Sequence, residues 1–231
     1  MKTVGIIGGL GPESTIEYYK FIVAAYRARQ TDGSYPLMVI NSVDLKTMAD
    51  AILSGELDRA TDYLLAAIQK LADARVDFAV ISANTPHIVF DGVKPQSPIP
   101  LISIVEAARA AAEKLNLKRL ALLGTRPTMQ GRFYPEVFSR SGIALIVPTE
   151  DEQAYVHDKY MNELVHGTIL PQTRARLLEI IGQMKERDSI AGVILGGTEL
   201  SLILPESEYH GIPFLNTTRI HVEAIVDELL S

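Results

Sequence analysis

The chain has no cysteine and no tryptophan among its 231 residues. The first absence excludes disulfides, thiolate metal centres and thiol nucleophiles together, and it fits an intracellular setting. A basic excess is missing too: 22 Lys and Arg stand against 28 Asp and Glu, for a formal charge of -6. Phosphate backbones are held by clustered cations, so nucleic acid and anionic membrane surfaces are not expected partners. The opening MKTVGIIGGLGPE has an apolar run too short and too Gly-rich for a signal peptide or membrane span, and a cytoplasmic protein is expected. Five histidines (87, 157, 166, 210 and 221) form neither H-x-H nor H-E-x-x-H spacing, so no metal is expected. The lack of a G-x-S-x-G elbow argues against an α/β-hydrolase.

Short β-branched apolar runs alternate with longer amphipathic stretches from end to end. That is the pattern of an α/β protein with parallel strands covered by helices. Strands are expected at about 3–8, 37–41, 77–82, 119–124, 143–146, 191–195 and 213–216. Helices are expected at about 13–29, 56–74, 104–116, 127–140, 151–166, 171–187 and 218–230. Pro12 and Pro171 suit first helical turns, where a missing N–H costs nothing. The segment 93–103, with three prolines, is expected to be a non-helical linker.

The two halves read alike. Gly8 and Gly124 each close a strand, and the later turns around Ala83 and Gly197 follow after 75 and 73 residues. This near-equality predicts a duplicated chain: two similar parallel-sheet α/β halves related by a pseudo-twofold axis, with a ligand site in the cleft between them. The first half is expected to comprise residues 1–100 plus 213–231, and the second 101–212.

Four turns carry residues suited to holding or transforming a small acid. Gly8-Gly9-Leu10-Gly11 follows a strand, either as a tight turn alone or as a cradle of N–H groups for an anion. Asn84-Thr85-Pro86-His87 offers a helix cap, a carboxylate pocket, or both, with His87 as a group that could exchange protons near neutral pH. Gly196-Gly197-Thr198-Glu199 is its counterpart, in which Glu199 either favours a helix dipole or acts in catalysis. Thr125-Arg126-Pro127-Thr128 opens another helix, with Arg126 as a surface residue or a carboxylate partner.

GlyGlyLeuGlyProGluSerThr (8–15), SerAlaAsnThrProHis (82–87), LeuGlyThrArgProThrMet (123–129) and LeuGlyGlyThrGluLeu (195–200) together resemble, in order and over nearly the whole chain, the aspartate/glutamate racemase family of pyridoxal-phosphate-independent amino-acid racemases. The resemblance implies a two-domain α/β fold of duplicated halves, a homodimer, no cofactor, and a small amino acid or dicarboxylate as ligand. It further implies one catalytic cysteine from each half, on opposite faces of the substrate α-carbon. Inversion needs both, because a single acid/base that returns its proton to the same face restores the starting enantiomer. In this chain those positions are Ala83 and Gly197, so the two-thiol mechanism cannot operate.

The substrate contacts that the resemblance implies are otherwise present at Gly9, Asn84, Thr85, Thr125 and Thr198. Lys46 and His166 stand near where relatives hold the side-chain carboxylate. Three explanations follow. The first expectation is an isomerase of the family type or a close mechanistic relative, such as a diverged lyase or decarboxylase, using Ser82, His87 or Glu199 instead; the second is a non-catalytic binder of small acids; the third is that the cysteines were removed by mutation.

Overall fold

The computed structural model describes residues 2–231. Contacts divide it into two compact units, one running to Ile104 and closed by Thr218–Ser231, the other Val105–Thr217. The first unit contains β1 (Thr3–Gly8), α1 (Pro12–Arg29), β2 (Leu37–Ser42), α2 (Leu45–Leu53), α3 (Leu57–Asp73), β3 (Phe78–Ile81), α4 (Phe90–Val93) and β4 (Leu101–Ile102). The chain continues through α5 (Ile104–Lys114), β5 (Arg119–Gly124), α6 (Arg126–Gln130), α7 (Phe133–Ser139), β6 (Ala144–Ile146), α8 (Glu150–Asn162), α9 (Pro171–Asp188), β7 (Gly192–Gly196), α10 (Leu200–Ile203), β8 (Glu208–Tyr209), β9 (Ile212–Asn216) and α11 (Thr217–Leu230).

The sheets share one plan. Their strand orders are β2-β1-β3-β4 and β6-β5-β7-β9, every one of these pairs parallel, with β8 added antiparallel at the edge of β9. The earliest strand of each sheet is interior, and the third lies at its other side. β3 and β7 are buried along their whole length and β1 and β5 at all but the first residue, as continuous apolar runs covered on both faces require. On α3 the buried Ala60, Leu64, Ala67, Ile68 and Leu71 recur at helical spacing and pack on β1 and β3 through Ile7, Ala79 and Ile81.

Each sheet also recruits a helix from across the chain. α5 follows β4 of the first sheet, yet from Val105 onward it belongs to the second unit. There Arg109 donates to the Ser141 hydroxyl at 2.8 Å and Arg140 donates to Glu106 at 2.9 Å. α11 follows β9 of the second sheet, yet from Thr218 onward it belongs to the first unit. Its Val222, Ile225, Val226 and Leu229 pack with Val4, Ile6, Tyr18, Ile22, Phe78 and Val80.

Several elements differ from the sequence reading. The segment 93–103 is not a bare linker: Lys94–Gln96 forms a 3-10 turn with a proline at its start, and β4 pairs with β3 through Ala79–Leu101 and Val80–Ile102. Proline at a first turn lacks only an N–H that has no partner there anyway. The helix expected over 127–140 is broken at Gly131, whose backbone is extended. α2 was not anticipated, although Asp44 caps it by accepting the Thr47 N–H at 2.8 Å. The second unit, Val105–Thr217, includes β9, whose Phe214, Leu215 and Asn216 are the register partners of β7.

Candidate functional site

The carboxyl ends of β1, β3, β5 and β7 lead into the four turns singled out from the sequence. In the first unit, Gly9 has φ +81°, and a Cβ there would collide with the Val43 carbonyl and lie 2.7 Å from the Ser42 hydroxyl. The turn is a backbone requirement met by glycine. Its N–H donates to the Thr15 hydroxyl at 2.9 Å. Ser14 donates to the Gly11 carbonyl at 2.8 Å and reaches the Ser82 carbonyl at 3.3 Å, tying this turn to the next.

After β3, the Ser82 hydroxyl is buried and donates to the Ile7 carbonyl at 2.9 Å. Ala83 is 4% exposed and presents only a methyl group. Asn84 is buried at the start of the 3-10 turn Thr85–Val89, where its side chain makes no cap hydrogen bond, so the capping alternative is not the one observed; the Asn84 carbonyl takes the His87 N–H at 2.9 Å. Thr85 is half-buried.

His87 is held at both ring nitrogens. Nε2 accepts the Ile104 N–H at 3.4 Å, which makes Nδ1 the donor to the Ala83 carbonyl at 3.0 Å. The ring stacks on Phe90 with centroids 4.9 Å apart. Burial pushes its pKa down to about 4, so the imidazole is neutral at pH 7 and built into the turn. Of the expected substitutes in this unit, Ser82 and His87 are thus both engaged with backbone.

In the second unit, Thr125 caps α6 by accepting the Thr128 N–H, and the two hydroxyls lie 3.1 Å apart. Arg126 is exposed, and its backbone N–H donates to His157 Nδ1 at 3.2 Å. Burial, and secondarily the Arg126 charge, lowers the His157 pKa. Gly124 and Gly196 are register partners, and a Cβ on Gly124 would sit 2.7 Å from the Gly196 carbonyl. The two strand ends approach because neither carries a side chain.

Gly197 has a different neighbour. A Cβ there would overlap the ring of Tyr160, lying 2.9 Å from Cζ and 3.0 Å from the phenol oxygen. The phenol donates to Glu199 Oε2, and the Thr198 hydroxyl donates to the same oxygen at 2.7 Å. Tyr160, Thr198 and Glu199 are 7%, 3% and 1% exposed. Burial first, and the neighbouring Glu199 charge second, hold the Tyr160 pKa well above its ordinary value, so the phenol keeps its proton. Tyr160 is the residue that sequence reasoning missed: on α8 it carries only the signal of a core position, and its closeness to Gly197 is a tertiary fact.

The two basic positions lie at the surface. Lys46 is exposed on α2 and ion-paired with Asp50 at 2.5 Å. His166 is exposed at the end of the 3-10 turn Leu164–His166, before a left-handed Gly167. Among the described residues no group of three His, Asp or Glu could hold a metal ion, and no helix is long and apolar enough to cross a membrane.

Two matching parallel sheets, each with small-residue turns at the carboxyl ends of its central strands, define a class of duplicated α/β proteins. Residues 7–225 match the Asp/Glu/Hydantoin racemase family, and the chain belongs to it. It is 26% identical over 236 residues to the broad specificity amino-acid racemase RacX of Bacillus subtilis (strain 168), covering 99% of this chain and 98% of that one. An aspartate racemase homologue from Pyrococcus horikoshii OT3 is similar in structure, with a TM-score of 0.83, 29% identity and complete coverage of both chains. Picrophilus torridus aspartate racemase shares the fold at a TM-score of 0.80 and 20% identity, over 99% of this chain and 94% of its own.

Proposed function

We propose that this chain binds a small amino acid or dicarboxylate through the turns at 83–85, 125–128 and 197–199, and that it does not racemise by the paired-thiol route. Family membership over residues 7–225 supports the ligand class. The observation that carries the exclusion is the pair Ala83 and Gly197, which have no exchangeable proton where inversion requires one on each face. The backbone commitments of Ser82 and His87 remove the nearest substitutes in the first unit.

Titration calorimetry with the L and D forms of aspartate and glutamate, together with succinate, tests this reading. Saturable binding of at least one acid is expected, with no enantiomer conversion on chiral chromatography. Failure of all five acids to bind would refute it.

A homodimer is part of the same proposal. Ile16 and Tyr19 on α1, Tyr35, and Leu37 and Ile40 on the edge strand β2 are exposed large apolar side chains in the first unit. Such an edge is most readily covered by a second copy of itself.

A further inference from the structure

Gly197 is small for a reason that lies on another helix. The space its side chain would take is filled by the Tyr160 ring, and the phenol oxygen lies 3.0 Å from where that Cβ would be. The resemblance assigns position 197 to proton transfer, and the Tyr160 phenol oxygen stands close to where that role falls. We propose that Tyr160 is the proton-exchanging group of the second unit: its phenol works with Glu199 as one relay that exchanges a single proton at the α-carbon of a bound amino acid, on one face only. This rests on the ligand class proposed above.

The step balances within the protein and its ligand. The α C–H bond breaks and its proton bonds to the Tyr160 oxygen, while the original phenolic proton passes to Glu199 Oε2, to which it is already hydrogen-bonded. The electron pair of the C–H bond remains on the ligand, delocalised into its carboxylate. While the ligand anion stands, the proton now on the Tyr160 oxygen exchanges with one from solvent; the reverse transfer then delivers the solvent-derived proton to the same face of the α-carbon as Glu199 gives its proton back to the phenol. Because the two transfers are coupled, no phenolate accumulates, which matters where burial and a neighbouring carboxylate both oppose one. Thr198 fixes the accepting oxygen with its own 2.7 Å hydrogen bond, so the relay is held in line before a ligand arrives. The resemblance gives the opposite face to position 83, and Ala83 has no exchangeable proton, so exchange with retention of configuration is expected.

The experiment is hydrogen exchange in deuterated water, using the full chain with each enantiomer of aspartate and glutamate. Loss of the α-proton signal is followed by NMR, and the enantiomer by chiral chromatography. The expected result is loss of the α-proton signal with configuration retained. Tyr160→Phe keeps the ring in place and is expected to cut the exchange rate at saturation by about 100-fold or more, as removal of a general acid/base does, with the half-saturating concentration unchanged. Glu199→Gln still accepts the phenol's hydrogen bond but cannot take its proton, and the same split is expected.

Exchange that persists undiminished in Tyr160→Phe would overturn the relay, as would inversion of configuration. Binding without any exchange in the unmodified chain would overturn the relay and leave the ligand class standing. Absence of binding would overturn the ligand class itself.

Discussion

At the scale of single residues, position 197 is defined by its neighbour. Gly197 is not among the glycines with positive φ, so its backbone accepts a side chain and the nearest obstacle is the Tyr160 ring. Gly197→Cys is therefore expected to lower stability by about 1–3 kcal/mol, the usual cost of overpacking a filled site. Denaturant melts of Gly197→Cys, Tyr160→Ala and the double variant form a cycle in which the double is less destabilised than the two singles predict. Where the Tyr160 relay serves one face, Ala83→Cys with Tyr160 intact supplies the missing acid/base and is expected to give inversion of aspartate on chiral chromatography, an activity that adding Tyr160→Phe removes.

The buried histidines give the chain an acid limit. His221 is fully buried, its Nε2 donating to the Ile102 carbonyl at 3.1 Å, so that Nδ1 accepts from the Tyr18 hydroxyl at 2.8 Å. Burial lowers its pKa to about 3, and that of His87 to about 4, both from 6.5. In the unfolded chain both bind protons near pH 6.5, whereas the folded chain resists. Stability is thus complete above that pH and falls as the solution is acidified toward 4. The loss is expected to reach about 3 kcal/mol or more, read as a falling urea midpoint between pH 7 and 4.

At the scale of elements, α8 serves both turns of the second unit. His157 accepts the Arg126 N–H at the start of α6, and Tyr160, almost one turn further on, reaches Glu199. The helix is started by a reciprocal cap: the Thr149 side chain takes the Glu152 N–H, and Glu152 takes the Thr149 N–H at 2.7 Å. Thr149→Ala is expected to cost about 1 kcal/mol in a thermal or denaturant melt.

The central strands were legible because a buried parallel strand shows as an unbroken apolar run such as TVGIIG or RLALLG. β4 was hidden among prolines that its two residues of pairing tolerate, and β8 is too short to register. The turns at 82–87 and 195–200 were also legible, since strand, turn and helix start are adjacent in sequence. Tyr160 was not, because its partners are 37 and 39 positions away and meet it only through the packing of α8 on the sheet. The backbone commitments of Ser82 and His87 were equally invisible, resting on Ile7 and Ile104.

At the scale of the molecule, the proposed dimer has a direct check. The chain is expected to sediment as a dimer, and Leu37→Lys with Ile40→Lys on β2 is expected to shift it to monomer without loss of secondary structure. A dimer that survives both substitutions would place the interface elsewhere.

The crossing of α5 and α11 sets the order in which the halves can mature on the ribosome. Residues 105–217 have all their own pieces once β9 has emerged, whereas in the half begun first the face of Val4, Ile6, Phe78 and Val80 is covered only in part, by Tyr18, Ile22 and Tyr26 of α1, until α11 leaves the exit tunnel. β1, made before the second unit, is thus sealed only after that unit is complete. Through most of translation this nascent chain carries an open apolar surface, and that is the interval in which it would need a chaperone.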